Sequence, residues 1–110
     1  MSRTPNALLH GTLDVLILKT LTTGPRHGYA IGRFIEDETG EAVVVEEGSL
    51  YPALYRLERR GWVDAEWGTS ELGRRAKLYR LTAEGRRRLA AEMDTWRRFS
   101  AGVSKILFAK

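Results

Sequence analysis

The last thirty residues carry an apolar stripe that only a long helix would produce. Its positions advance by alternating steps of four and three, which is the heptad spacing of a helix that packs against another helix. A helix from Thr82 to Lys110 would be about 43 Å long at 1.5 Å per residue, and a domain of this size is roughly 25–30 Å wide. The far end must therefore pack on something outside its own core. The apolar stripe comprises Leu89, Met93, Trp96, Val103 and Leu107, with Ser100 as its one polar interruption, and Phe99 and Ile106 widen it.

A second copy of the chain is the simplest partner for this stripe. A helix folded back on its own domain would have to hide Trp96, Phe99, Val103 and Ile106 together. We therefore predict that residues 82–110 form a C-terminal helix through which the chain makes a homodimer.

The segment before this helix contains three shorter helices. Leu13 to Leu21, "LDVLILKTL", is apolar on most sides and predicts a largely buried helix that ends at "TTGP". "HGYAIGRFIEDETG" predicts a second helix over about 28–39. Between it and the third helix, the β-branched run "EAVVVEE" at 41–47 predicts an extended connector or a small strand.

The third helix lies within "GSLYPALYRLERRGWV". We expect Ser49 to cap its N-terminus and Pro52 to lie in its first turn, where the missing N–H costs little. Gly61 should end the helix in a left-handed conformation.

After Gly61 the apolar period changes from about 3.6 to 2. "WVDAEW" at 62–67 and "KLYRL" at 77–81 predict two strands, joined by a hairpin loop over 68–76. Three helices followed by a hairpin predict a winged helix-turn-helix domain over residues 8–81. The predicted fold is mainly α with a small β-hairpin, extended by the long C-terminal dimerisation helix.

The third helix has two faces of different chemistry. Leu50, Leu54 and Leu57 form the stripe that should hold it on the domain. In a winged helix the opposite face is turned outward, and a helix 10–12 Å wide fits the major groove of DNA. This outward face contains Ser49, Tyr51, Tyr55, Arg56 and Arg59. Each arginine has two open interpretations, a bidentate contact to a guanine edge and a contact to phosphate.

Charge is distributed unevenly along the chain. The net charge is +4 and the isoelectric point is about 9.8. Residues 1–47 carry −3 and residues 48–110 carry +7. This asymmetry indicates a polyanionic partner for the second part of the chain, although a solvated arginine-rich helix would give the same count.

The hairpin loop adds three cations, Arg74, Arg75 and Lys77. A basic loop beside such a helix is placed to contact the DNA backbone or to enter the minor groove. The last helix begins with three arginines, Arg86, Arg87 and Arg88. A position near DNA phosphates and a solvated helix face explain them equally well.

Three segments together resemble the PadR-type transcriptional regulators. They are "HGYAIGRFIE", "GSLYPALYRLERRGWV" and "KLYRLTAEGRRRL", and the resemblance covers about residues 8–90. The middle segment is the most specific, because a glycine, a hydroxyl residue, leucine, tyrosine and proline precede the helix. Ser49 stands where threonine is commoner in the family, and it keeps the hydroxyl.

The resemblance implies a homodimeric protein of the short subfamily, which binds an inverted-repeat operator in double-stranded DNA and usually represses. Carried onto this sequence, the DNA-facing set is Tyr29, Ser49, Tyr51, Pro52, Tyr55 and the basic residues of the wing. Some relatives respond to small phenolic or hydrophobic compounds. This suggests a small aromatic or hydrophobic effector at Trp96, whose simpler interpretation is as part of the dimer core.

Other classes of protein fit the sequence less well. The chain has no cysteine, its two histidines (His10 and His27) lack partners at metal-ligand spacing, and Ser49 has no evident base. We therefore expect no enzyme activity, no metal and no cofactor. No apolar run is long enough to cross a membrane, and the N-terminus lacks the apolar core of a secretion signal, so we expect a cytoplasmic protein.

Two non-enzymatic alternatives stay open. A winged helix that makes only protein contacts would not bind DNA, and the arginines of the third helix and the wing argue against it. An RNA-binding protein would more naturally show exposed aromatic residues for stacking on single strands.

Overall fold

The computed structural model describes residues 11–110. Its helices are α1 (Leu13–Thr20), α2 (Gly28–Glu38), α3 (Glu47–Arg59) and α4 (Ala83–Leu107), with a 3₁₀ turn at Leu21–Thr23. Its strands are β1 (Arg26–His27), β2 (Val63–Thr69) and β3 (Arg75–Leu81). The predicted class, mainly α with a small β element and a long C-terminal helix, is confirmed. Residues 8–10 of the predicted domain, His10 included, lie outside the described residues.

The core forms where α1, α2 and α3 meet. Ile17, Leu18, Ile31, Leu54 and Leu57 are each 0% exposed and belong to one buried cluster. Leu54 and Leu57 come from the leucine stripe of the third helix, as predicted. Burial of this stripe fixes which face of α3 is turned outward.

The sheet has three antiparallel strands in the order β1-β3-β2. The hairpin of β2 and β3 is longer than the sequence indicated and leaves a shorter loop at 70–74. We did not predict β1, which has only two residues and pairs with β3 through Arg26 opposite Tyr79 and His27 opposite Leu78. A strand of two residues is too short to show an alternating period. Its partner strand lies some fifty residues further along the chain, so no local pattern indicates the pairing.

The start of α3 differs from the prediction. The helix begins at Glu47 after an extended Glu46, so Ser49 is not its cap. The Ser49 N–H donates to the Glu46 carbonyl at 3.0 Å. Pro52 consequently lies in the second turn and leaves the Gly48 carbonyl without its usual helical donor. The first turn of the helix carries the carboxylate of Glu47.

The connector before α3 departs in part from the prediction, and the end of α3 follows it. Residues 40–43 form turns and bends and residues 44–46 irregular backbone, so no strand is formed there and the first half of the connector is not extended as predicted. Gly61 has a φ of +78°, which is the left-handed conformation expected of it. The Trp62 N–H then donates to the Leu57 carbonyl at 3.1 Å and closes the helix.

Thr82 is the N-terminal cap of α4, and the helix ends at Leu107. The Thr82 hydroxyl accepts from the Gly85 N–H at 2.9 Å and donates to the Gly61 carbonyl at 2.7 Å, which joins the helix to the end of α3. Leu89 is a correction to the dimerisation stripe. It is only 5% exposed and packs in the core of its own chain, so it has almost no surface left for a second copy.

Candidate nucleic-acid interface

Aromatic and cationic side chains line the outward face of α3. Tyr51, Tyr55 and Arg59 follow one another at intervals of four residues and are exposed. Tyr55 is 60% exposed. The Arg59 Nη1 donates to the Tyr55 hydroxyl at 3.3 Å and the guanidinium lies over the ring, 5.8 Å from its centroid. Tyr55 and Arg59 thus present a phenol and a guanidinium together at the surface.

The other two predicted residues on this helix are placed differently. Pro52 is exposed, and with Tyr55 and Arg59 it borders a shallow depression. Ser49 is half-buried and lies in the first turn of the helix. The exposed face of α3 is therefore centred on Tyr55 and Arg59, beyond the first turn of the helix that contains Ser49.

Arg56 forms an ion pair within the chain that the sequence did not reveal. Its Nη2 lies 2.7 Å from the Asp14 Oδ1 of α1, and the Arg60 Nη1 lies 3.9 Å from Oδ2 of the same carboxylate. The side chain of Arg56 is 46% exposed to solvent. Asp14 therefore holds Arg56 against α1 and offsets part of its charge, whereas no carboxylate within residues 11–110 pairs with Arg59.

Tyr51 packs on the first residue of α2. A Cβ on Gly28 would lie 2.6 Å from the Tyr51 Cε1, so the absence of a side chain there makes room for the ring. Burial, and after it the charge of Glu47, raises the pKa of Tyr51 above its ordinary value. The phenol stays protonated at neutral pH and can donate a hydrogen bond.

Tyr29 connects α2 to the hairpin tip. Its hydroxyl donates to the Glu71 Oε1 at 2.8 Å. This hydrogen bond, with smaller contributions from burial and from the charge of Glu71, raises the pKa of Tyr29. Glu71 places a negative charge on the surface predicted to meet DNA, a feature that the sequence did not reveal.

The three predicted wing cations lie on β3 and at the hairpin tip. Arg74 and Arg75 are exposed. Lys77 is half-buried, with its Nζ 3.1 Å from the Glu58 Oε1 of α3. The structure therefore places cations on the hairpin beside the outward face of α3.

Trp67 and Trp62 occupy different environments on the hairpin. Trp67 is 56% exposed. Arg75 and Lys77 lie against its ring, at 4.4 and 5.5 Å from the centroid. Trp62 is half-buried, with Arg60 and Arg88 each 5.0 Å from its ring centroid.

The C-terminal helix leaves most of its apolar stripe exposed. Trp96 is 49% exposed and Ile106 is 82% exposed. Met93 packs against the core. The remaining exposed apolar residues of this end are Phe99, Val103, Leu107 and Phe108.

An open apolar groove lies beside Trp96. Its volume is about 560 Å³. Val15 and Leu16 of α1, Val43 of the connector, and Met93 and Trp96 of α4 line it. The arrangement can accept an apolar body, either a side chain or a small molecule.

Within residues 11–110 there is no cluster of histidine, aspartate and glutamate side chains that could hold a metal ion. None of the helices described in this range is long and apolar enough to cross a membrane.

Comparison with known proteins identifies the family. The model of the "Transcriptional regulator PadR-like family" matches residues 17–91. The chain belongs to this family. The resemblance drawn from the three sequence segments is therefore confirmed, and the protein is a transcriptional regulator of the PadR-like family.

Solved structures and a curated relative are similar over most of the chain. A transcriptional regulator from Clostridium thermocellum is 32% identical with a TM-score of 0.83, over 94% of this chain and 99% of that one. A PadR family transcriptional regulator from Eggerthella lenta is 34% identical with a TM-score of 0.78, over 94% and 88%. An uncharacterised protein X of Lysinibacillus sphaericus is 30% identical over 81% of this chain and 82% of its own length.

Proposed function

We propose that this PadR-like regulator binds double-stranded DNA sequence-specifically, with α3 in the major groove and the β2–β3 hairpin on the adjoining backbone. The observation that carries the proposal is the outward face of α3. Its leucines are fully buried, and phenol and guanidinium groups are left at the surface beside the cations of the hairpin. Such groups contact phosphates and base edges, and the helix has the width of the groove.

We propose further that the regulator acts as a homodimer. The exposed stripe of α4, which includes Trp96, Phe99 and Ile106, supports this assembly because a second copy of the helix would bury it. A two-fold dimer reads an inverted repeat whose half-sites lie about 34–36 Å apart or at a multiple of that distance. Repression is the effect on transcription that the family resemblance favours.

A small aromatic or hydrophobic effector would bind beside Trp96. The apolar groove at that position supports the proposal, and its volume of about 560 Å³ is in the range of small-molecule sites. Titration of a varied panel of aromatic compounds, followed by tryptophan emission, tests it. Saturable quenching by one of them supports an effector site, and an unchanged emission across the panel contradicts it.

Selection of bound genomic DNA tests the DNA-binding function. The purified protein is mixed with sheared DNA of its own organism, and the retained fragments are sequenced. We expect enrichment of fragments that share an inverted repeat. The logarithm of the binding constant should fall linearly with the logarithm of the salt concentration, with a slope of about −0.9 for each phosphate contacted. No enrichment, together with no salt-dependent binding of any duplex, would favour the protein-interaction alternative.

A further inference from the structure

Trp67 lies on a face of the hairpin that is buried at one end and open at the other. Along β2, Val63 is buried and Ala65 is half-buried against the core, and Trp67 continues the same face two residues further. In the register of the sheet, Ala65 pairs with Tyr79 and Trp67 pairs with Lys77. The indole therefore stands where this face leaves the core and becomes accessible.

This open end of the hairpin forms one wall of a groove, and the start of α2 and the outward face of α3 form the other. The groove has a volume of about 400 Å³. Tyr51 and Tyr55 lie on the helical side, and Trp67, Arg75 and Lys77 lie on the hairpin side. Aromatic rings thus face one another across a space that cations border.

The charges at the groove favour an anionic occupant with an apolar part. The guanidinium of Arg75 and the ammonium of Lys77 both lie against the indole of Trp67, at 4.4 and 5.5 Å from its centroid. The charged residues that line the groove are Arg75, Lys77 and Glu58, and Glu58 pairs with Lys77. Two further carboxylates lie close to its rim: Glu71 accepts from Tyr29, and Glu47 acts on Tyr51.

We infer that this groove holds the sugar–phosphate backbone of one DNA strand, with Trp67 packed against a deoxyribose and Arg75 and Lys77 beside the adjoining phosphates. The inference rests on the proposed function, because the backbone strand that borders a major groove lies beside any helix inserted into it. Alternating sugars and phosphates present the apolar and anionic surfaces that this wall of the groove complements. Trp67 is then a DNA-contact residue in addition to those expected from the sequence.

Fluorescence of Trp67 tests the contact directly. A variant with Trp62→Phe and Trp96→Phe keeps Trp67 as its single tryptophan, and it is titrated at about 50 mM salt with a mixed-sequence duplex about two helical turns long. We expect saturable quenching or a spectral shift of the Trp67 emission. The matched control carries Trp62→Phe and Trp67→Phe, and the emission of its remaining Trp96 should change far less.

Three further variants, made in the otherwise unchanged protein, separate contact from folding. Trp67→Ala should weaken binding of the same duplex about tenfold, and Trp67→Phe should weaken it about threefold. Neither should change the slope of affinity against salt, because neither removes a charge. Arg75→Ala should lower that slope by about one. The thermal unfolding of each variant is measured in parallel and should change little, since the indole is largely exposed.

The outcomes distinguish this inference from the proposed function. If the unmodified protein binds the duplex while Trp67 emission is unchanged at saturation, or while Trp67→Ala binds equally well, the inference is wrong and the proposed function stands. If the unmodified protein binds no duplex DNA at low salt, the proposed function fails and the inference fails with it.

Discussion

Shortening Leu54 to alanine should destabilise the domain without touching its outward surface. Leu54 is 0% exposed and belongs to the same buried cluster as Ile17 and Ile31, so it lies where three helices meet. Alanine at this position removes three carbon atoms and leaves a cavity. The three helices are held by many other contacts and can close that cavity only in part.

The expected loss is about 2–5 kcal/mol, which is the range for a buried leucine. A domain of this kind has a total stability of about 5–15 kcal/mol, so the loss is a large part of it. For a chain of 110 residues, each kcal/mol corresponds to about 4 °C in the unfolding temperature. We therefore expect the midpoint to fall by about 8–20 °C.

Thermal unfolding followed by circular dichroism measures this loss. All samples are kept at one protein concentration, because dimerisation would otherwise contribute to the midpoint. Tyr55→Ala, one residue along the same helix and on its exposed side, is the matched control and should change stability by no more than about 0.5 kcal/mol. If Leu54→Ala unfolds within 2–3 °C of the unmodified protein, or if Tyr55→Ala is the more destabilising, the assignment of the two faces of α3 is wrong.

Three other changes have defined outcomes. Glu71→Gln removes a negative charge from the hairpin tip and weakens the hold on Tyr29, so duplex affinity in a mobility-shift titration should rise about two- to fivefold; a lower affinity would refute this. Gly85→Ala places a Cβ against the backbone carbonyl of Trp62 and should cost at least about 1–3 kcal/mol in thermal unfolding; an unchanged midpoint would contradict the packing of α4. Phe99→Asp should convert the dimer into a monomer, as measured by analytical sedimentation, and a retained dimer would place the interface elsewhere.

The sequence predicts best those features that repeat along the chain. The leucine stripe of α3, the alternation of the hairpin and the heptad stripe of α4 each give several residues that agree with one another. Single positions are less certain. Ser49 has the chemistry of a cap, and Glu46 nevertheless takes the extended conformation that starts the helix three residues earlier. Once the start moves, Pro52 moves from the first turn to the second.

Features that depend on distant partners could not be predicted. Asp14 and Arg56 are forty-two residues apart, as are Tyr29 and Glu71, and no local pattern marks either pair. Trp67 is an intermediate case. The alternation places it on the same face as Val63, but only the structure shows that the core ends before it and leaves the indole exposed.

The central claim is that the outward face of α3 contacts DNA. The most direct measurement compares duplex affinities of Tyr55→Ala and Arg59→Ala with that of Arg98→Ala, on a fragment recovered by genomic selection. Arg98→Ala removes the same charge as Arg59→Ala, from an exposed position on α4 that pairs with Asp94.

We expect each of the two α3 variants to bind about five- to a hundredfold more weakly than the unmodified protein, with unfolding midpoints preserved. Arg98→Ala should bind nearly as well as the unmodified protein. Equal affinities for all three variants, or a loss confined to Arg98→Ala, would contradict the account.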